Sequence, residues 1–247
     1  MSQRITRRVA VALVLGTTGV QAAPPMPAEL AALSAPMQAS VQLPGTGVQM
    51  VETDTRILYL GGNGRYVFTG PAWDLWHGAA LTTVAQASAL AGRIDLTRIT
   101  LDAAELGAFA LGVAPDQQAG EGQGTANRDA WVFVDPRCSR CLALLTTLEQ
   151  AGTPAQVVLL PIGGEKSLSA ARRLHCAPSR AAAWSALIDQ AADALPEPAA
   201  DCDTQPLVRA LITAQLLGVT QVPTLIASDG RLHQGVPDDA IAWLAAE

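Results

Sequence analysis

Ala130-Trp131-Val132-Phe133-Val134 is an unbroken apolar run, and four residues past its end begins a Cys-x-x-Cys, Cys138-Ser139-Arg140-Cys141. An apolar stretch without polar alternation predicts a strand buried on both faces, which requires a sheet covered by helices. From Cys138 to Gln150 the leucines 142, 145 and 148 recur on one side of a helix, and Gly152 and Pro154 supply its stop. Two thiols therefore enter the fold at the mouth of a helix, directly after a central strand.

The rest of the second half continues the alternation. A second strand is expected over Gln156 to Leu160, then helices over Ser167–His175, Ser179–Leu195 and Thr204–Leu217. Short strands at Thr224–Ala227 and Arg231–Gln234 flank the Asp229-Gly230 turn, and a last helix takes Asp238–Ala246. This order predicts an α/β sandwich in which residues 167–217 form a helical insertion.

The first half reads differently. Arg4, Arg7 and Arg8 precede an uncharged run from Val9 to Val20, followed by small residues near Ala22. That is the layout of a secretory signal peptide over residues 1–22, too short for the roughly 20 apolar residues of a spanning helix. A Pro- and Ala-rich lead follows to about Ala39, with a short helix expected at Glu29–Leu33. Strands are expected at Val48–Val51, Ile57–Leu60 and Tyr66–Thr69, the last two joined by a turn at Gly61-Gly62-Asn63-Gly64. Residues 23–80 are thus read as a small N-terminal domain, with Trp73 and Trp76 packing it or its interface. Residues 81–127 are read as a linker, with one or two helices from Leu81 to Leu111 broken near Gly92 and Gly107. Its second part, Ala114 to Asn127, is Gly- and Gln-rich and flexible. Residues 128–247 form the second domain.

Composition excludes some functions. Cleavage of the leader removes three arginines and takes the formal net charge from −6 to −9. Lys166 is the sole lysine, so no basic stripe exists to bind nucleic acid. His77, His175 and His233 are scattered, and Cys176 and Cys202 stand singly, so no zinc-ligand cluster and no cofactor site is expected. His175 reads as a helix-surface residue.

The four cysteines allow three pairings, and an exported chain meets an oxidising compartment. At a helix start, unpaired N–H groups and the helix dipole favour a thiolate. Cys138 is accordingly expected to be the nucleophile and Cys141 the resolving thiol, with Arg137 and Arg140 tuning the thiolate in the same direction. The remaining pair, Cys176 and Cys202, reads as a structural staple, with a second redox pair as the rival reading.

These segments resemble a known family. Val132-Phe133-Val134-Asp135-Pro136-Arg137-Cys138-Ser139-Arg140-Cys141 is similar to the active-site segment of bacterial periplasmic disulfide isomerases of the DsbC/DsbG type. Leu217 to Thr224 resembles the cis-proline segment of those proteins, and Ile57–Leu60 with Arg65–Pro71 resembles the hairpin of their N-terminal domain. The resemblance implies a thioredoxin-like domain with a helical insertion, preceded by a small α+β, cystatin-like dimerisation domain. It implies that Pro223 is a cis-proline beside the cysteines, that Val222 offers its backbone to substrate, and that Cys176–Cys202 is a structural disulfide. It also implies a periplasmic homodimer acting on misfolded or disulfide-containing exported proteins and kept reduced by a membrane thiol reductase of the DsbD type. Some family members are encoded on conjugative elements, and this chain could be one. Ser139-Arg140 between the cysteines and Val222 before the proline depart from the isomerases. They leave a thiol oxidase open, and a non-catalytic chaperone or accessory protein of a conjugation apparatus is a further alternative.

Overall fold

The computed structural model describes residues 36–44, 46–62, 64–112 and 130–246. The expected signal peptide, the Glu29–Leu33 helix, Asn63 and the Ala114–Asn127 linker lie outside them.

The N-terminal unit is an antiparallel meander of β1 (Met37–Leu43), β2 (Val48–Thr53), β3 (Ile57–Gly61) and β4 (Tyr66–Phe68). A separate hairpin, β5 (Ala72–Asp74) and β6 (Ala79–Leu81), leads to helix α1 (Val84–Ala91). Val84 and Ala87 of the helix close over Met50, Tyr59 and Leu81. Thr83 caps the helix by accepting the N–H of Gln86.

Here the structure corrects two expectations and narrows a third. The lead does not run to Ala39, because Met37 already begins β1. Ala39, Val41 and Leu43 alternate toward the core with Gln38, Ser40 and Gln42 between them, a period-two pattern hidden by small and polar residues. Trp73 and Trp76 lie outside the unit's buried core, 62 % and 39 % exposed at the β5–β6 hairpin, which leaves the interface as the place expected for them. The helices expected over Leu81–Leu111 reduce to α1. Beyond Gly92 the chain turns repeatedly: Asp95 and Asp102 side chains accept the N–H groups of Thr97 and Glu105, a local alternative to helix. Burial of Ile94, Leu96, Leu101 and Leu106 against the second unit outweighs the helix propensity of this Ala- and Leu-rich stretch.

That stretch ends in β7 (Phe109–Leu111), an edge strand of the main sheet. The sheet continues with β8 (Ala130–Val134), β9 (Ala155–Leu159), β10 (Thr224–Ile226) and β11 (Leu232–Gln234), in the order β11-β10-β8-β9-β7. Only β8 and β9 are parallel. Helices α2 (Ser139–Gln150), α3 (Glu165–His175), α4 (Arg180–Ile188), α5 (Gln205–Leu216) and α6 (Ala240–Ala245) complete a mixed α/β unit. The helix expected over Ser179–Leu195 is divided. Gln190 takes φ 55° after α4, and a 3-10 turn, Ala192–Ala194, follows.

Strand β8 shows why its sequence has no polar residue. Val132 and Val134 join one core with Leu142, Leu145 and Leu148 of α2, whereas Trp131 and Phe133 join the other with Ala210, Ala214 and Leu217 around α5. The two units meet along the β10–β11 hairpin, where Ile94 N–H donates to Gly230 O at 2.8 Å. A Cβ on Gly230, at φ 84°, would collide with the Ile94 carbonyl.

Candidate active site

The end of β8 runs into a tight turn built on one carboxylate. Asp135 is 3 % exposed and accepts three hydrogen bonds of 2.8 Å, from Arg137 N–H, Gly163 N–H and the Ser167 hydroxyl. Its carbonyl accepts the N–H of Cys138 at 3.0 Å. The turn, the loop after β9 and the start of α3 are thereby fastened to one buried group. Gly163 is required at close quarters, since a Cβ there would lie 2.5 Å from Ser167 Oγ and 3.1 Å from Asp135 Oδ2.

Cys138 is the N-cap of α2, and its sulfur accepts the N–H of Cys141 at 3.2 Å. The two cysteines are joined as a disulfide, with Cα atoms 5.2 Å apart. Cys141 is fully buried and Cys138 half-buried, so an incoming sulfur reaches Cys138 first. No acidic residue stands in the first turn of α2 to oppose a thiolate.

The arginines beside the pair stand differently from each other. The Arg137 guanidinium donates to Asp193 Oδ1 at 2.5 Å, across 56 residues of sequence. The hydrogen bond from Arg137 holds the Asp193 carboxyl below its usual range, and the same bond raises Arg137. Arg140 is exposed and makes no ion pair among the described residues.

The Val222–Pro223 peptide is cis. The paired register with β8 begins at Thr224↔Phe133, so Pro223 lies directly before the strand that pairs beside Val134 and the cysteine turn. Pro223 is buried and its carbonyl accepts Gly235 N–H at 2.7 Å. Val222 packs its side chain between the two cores, and among the described residues neither its N–H nor its C=O has a hydrogen-bond partner. The segment before it is held by Gln234 of β11. The side-chain carbonyl of Gln234 accepts Thr220 N–H and Oγ1–H, both at 2.9 Å, and its amide donates to Gly218 O at 3.1 Å.

The chain is similar to solved structures of two bacterial proteins. A disulfide interchange protein from Neisseria gonorrhoeae is 22 % identical over 58 % of this chain and 95 % of its own, with TM-score 0.44. Helicobacter pylori DsbG is 14 % identical over 75 % of this chain and 91 % of its own, with TM-score 0.32. No family model and no curated protein matches the sequence. The overall superposition is loose, so the chemistry is read from the Cys138 site itself.

Cys176 and Cys202 form the second disulfide, with Cα atoms 6.0 Å apart; Cys176 caps the end of α3. Next to it, His175 is half-buried rather than on the helix surface, and its Nε2 lies 2.8 Å from Asp203 O. Among the described residues no three His, Cys, Asp or Glu side chains cluster around a possible ion. No helix of the described residues is long and apolar enough to cross a membrane. An apolar pocket of about 270 Å³ between Leu43, Tyr59, Phe68 and Pro71 belongs to the N-terminal sheet and is lined by none of the residues around Cys138.

Asp135, Ser167, Asp193 and Gln234 are site residues that the sequence reading passes over. Asp135 carries a visible signal, an acid directly after an all-apolar strand and three residues before the motif. The other three reach the site only through tertiary contacts.

Proposed function

We propose that this chain is an exported, periplasmic thiol:disulfide interchange protein that isomerises or reduces wrong disulfides in exported proteins. The supporting observation is a half-buried sulfur at a helix N-cap, Cys138, packed on the same core as Val222, whose main chain has no hydrogen-bond partner among the described residues. An extended substrate segment pairs with Val222 and brings its disulfide to Cys138.

In the reduced form the Cys138 thiolate attacks one substrate sulfur. The substrate S–S bond breaks, a Cys138–substrate mixed disulfide forms, and the second substrate sulfur leaves as a thiolate. If a different substrate thiol attacks the mixed disulfide, a new substrate disulfide forms, Cys138 departs as the thiolate, and the substrate is isomerised with no net electron transfer. If Cys141 loses its proton and attacks Cys138, the substrate leaves reduced by two electrons and the Cys138–Cys141 disulfide remains. Return to the dithiol then requires an external dithiol, the role of a membrane thiol reductase of the DsbD type. The catalytic unit in this reading is a thioredoxin-like domain, with residues 23–80 as a cystatin-like dimerisation domain and Cys176–Cys202 as a structural staple.

The test is reactivation of a scrambled, fully oxidised protein by the reduced mature chain, with Cys138→Ala alongside. Cys138-dependent recovery supports the isomerase. Oxidation of a reduced substrate without unscrambling makes the chain a thiol oxidase.

One observation favours a second reading, a holding role for apolar polypeptides. Tyr66, Phe68, Trp73 and Leu75 are all more than half exposed on the N-terminal unit. Suppression of aggregation that survives Cys138→Ala would establish that role. The same surface, along edge strand β4, suits a second copy of the chain, and a monomeric mass by sedimentation at micromolar concentration would sink the homodimer.

A further inference from the structure

Among the described residues Asp193 is the one acidic side chain paired with the arginine that precedes the proposed nucleophile, and several contacts present it there. Its 3-10 turn is anchored on one side by Ala192, buried in the core shared with α2. On the other side Arg173 of α3 donates to Leu195 O at 2.7 Å and pairs with Glu197. The Cys176–Cys202 disulfide closes the loop that contains the turn. The Asp193 carboxylate, 65 % exposed, then meets an Arg137 guanidinium that is 35 % exposed. A surface pair of this kind adds little to stability. Its position, one residue from Cys138, gives it a different consequence.

We propose that Asp193 is a positioning residue for the exchange chemistry, holding the Arg137 guanidinium and so limiting how much of its positive charge reaches the Cys138 thiolate. The inference rests on Cys138 being the nucleophile. The other charges in the neighbourhood are Asp135 beneath the turn, Arg140 on α2, Glu165 and Lys166 at the start of α3, and Arg173. Lys166 and Arg173 both lie within electrostatic reach of Asp193, and the Gly218–Pro223 segment contributes no ionisable group. Arg137 is thus flanked by two carboxylates, and among the described residues only Asp193 touches its guanidinium.

The sign follows from electrostatics. Freeing Arg137 stabilises the thiolate, lowers the Cys138 thiol pKa and favours the dithiol over the disulfide. Removing the Asp193 charge would also act directly on the sulfur with the same sign, so one variant does not separate the routes.

The test uses the full mature chain as four proteins: wild type, Asp193→Asn, Arg137→Ala and the double variant. Thiolate absorbance of Cys138 is titrated against pH, and the dithiol–disulfide equilibrium is measured against glutathione. Asp193→Asn is expected to lower the thiol midpoint by about half a pH unit and to shift the equilibrium about threefold toward the dithiol. In the Arg137→Ala background the same change is expected to leave only the smaller direct effect of the lost Asp193 charge. An equal shift in both backgrounds, or none in either, overturns the proposal. A Cys138 that neither titrates nor exchanges in wild type instead overturns its reading as nucleophile, and the role of Asp193 falls with it.

Discussion

The main-chain N–H of Cys141 points at the sulfur of Cys138 from 3.2 Å, so each cysteine of the pair helps to define the other's environment. The resolving residue supplies the donor that a thiolate on the attacking residue needs, and its own sulfur lies fully buried in the core beneath. On reduction, Cys138 should react with iodoacetamide while Cys141 stays protected, as peptide mass mapping would reveal. The rate should rise with pH through a midpoint below the ordinary thiol value of about 8.5, because the helix end favours the charged form. Preferential labelling of Cys141 would reverse the assigned roles.

Asp135 and its donors behave as a unit. Ser167→Ala removes a hydroxyl from a buried carboxylate and should cost about 1–3 kcal/mol, measured by denaturant unfolding of the oxidised protein. Gly163→Ala should cost a similar amount, because its Cβ would displace the Ser167 hydroxyl from Asp135. The two should not add, since the second change costs less once that hydroxyl is gone. Full additivity would mean that the carboxylate does not couple the turn to α3.

Gln234 holds the segment before the cis-proline by three hydrogen bonds. Gln234→Ala is expected to slow exchange with a protein disulfide by on the order of tenfold, through misplacement of the Val222 backbone. Reaction with a small aromatic disulfide, which needs no strand-like docking, should be unchanged. If both rates fall together, the variant has disturbed the cysteines rather than the docking segment.

The Cys176–Cys202 bridge spans 26 positions. Chain-entropy estimates give a loop of that length roughly 3.5 kcal/mol. Replacing both cysteines with alanine should lower the melting temperature accordingly while leaving Cys138-dependent exchange intact below it. Loss of exchange in a variant still folded by circular dichroism would favour the second-redox-pair reading.

Much of the second half was legible because local rules and tertiary demands agree there. An apolar run with no alternation must lie inside a covered sheet, and β8 does. Leucines at helical spacing after Cys138 form the buried face of α2, and Gly152 and Pro154 follow its end. The agreement fails between Gly92 and Leu111. Alanine and leucine suit a helix, but Asp95 and Asp102 offer backbone N–H groups local acceptors, and the leucines gain more from burial in the second unit. Nothing in Phe109-Ala110-Leu111 announces an edge strand, because its partner β9 lies more than forty residues further on.

By itself the sequence determined which residues carry the proposed chemistry and which end of a helix holds them, since thiol spacing and helix starts are local properties. It also set the buried strand before the pair, which apolar patterning dictates. Only the tertiary structure decided what surrounds the sulfur: a carboxylate gathered under the turn, a Val222 packed on the same core, a glutamine holding the segment before it, and Asp193 drawn onto Arg137 from 56 residues away. Hydrogen bonds and ion pairs act over a few ångströms of space whatever the distance along the chain. The groups that set the environment of Cys138 therefore come together only once the sheet and its helical insertion have closed.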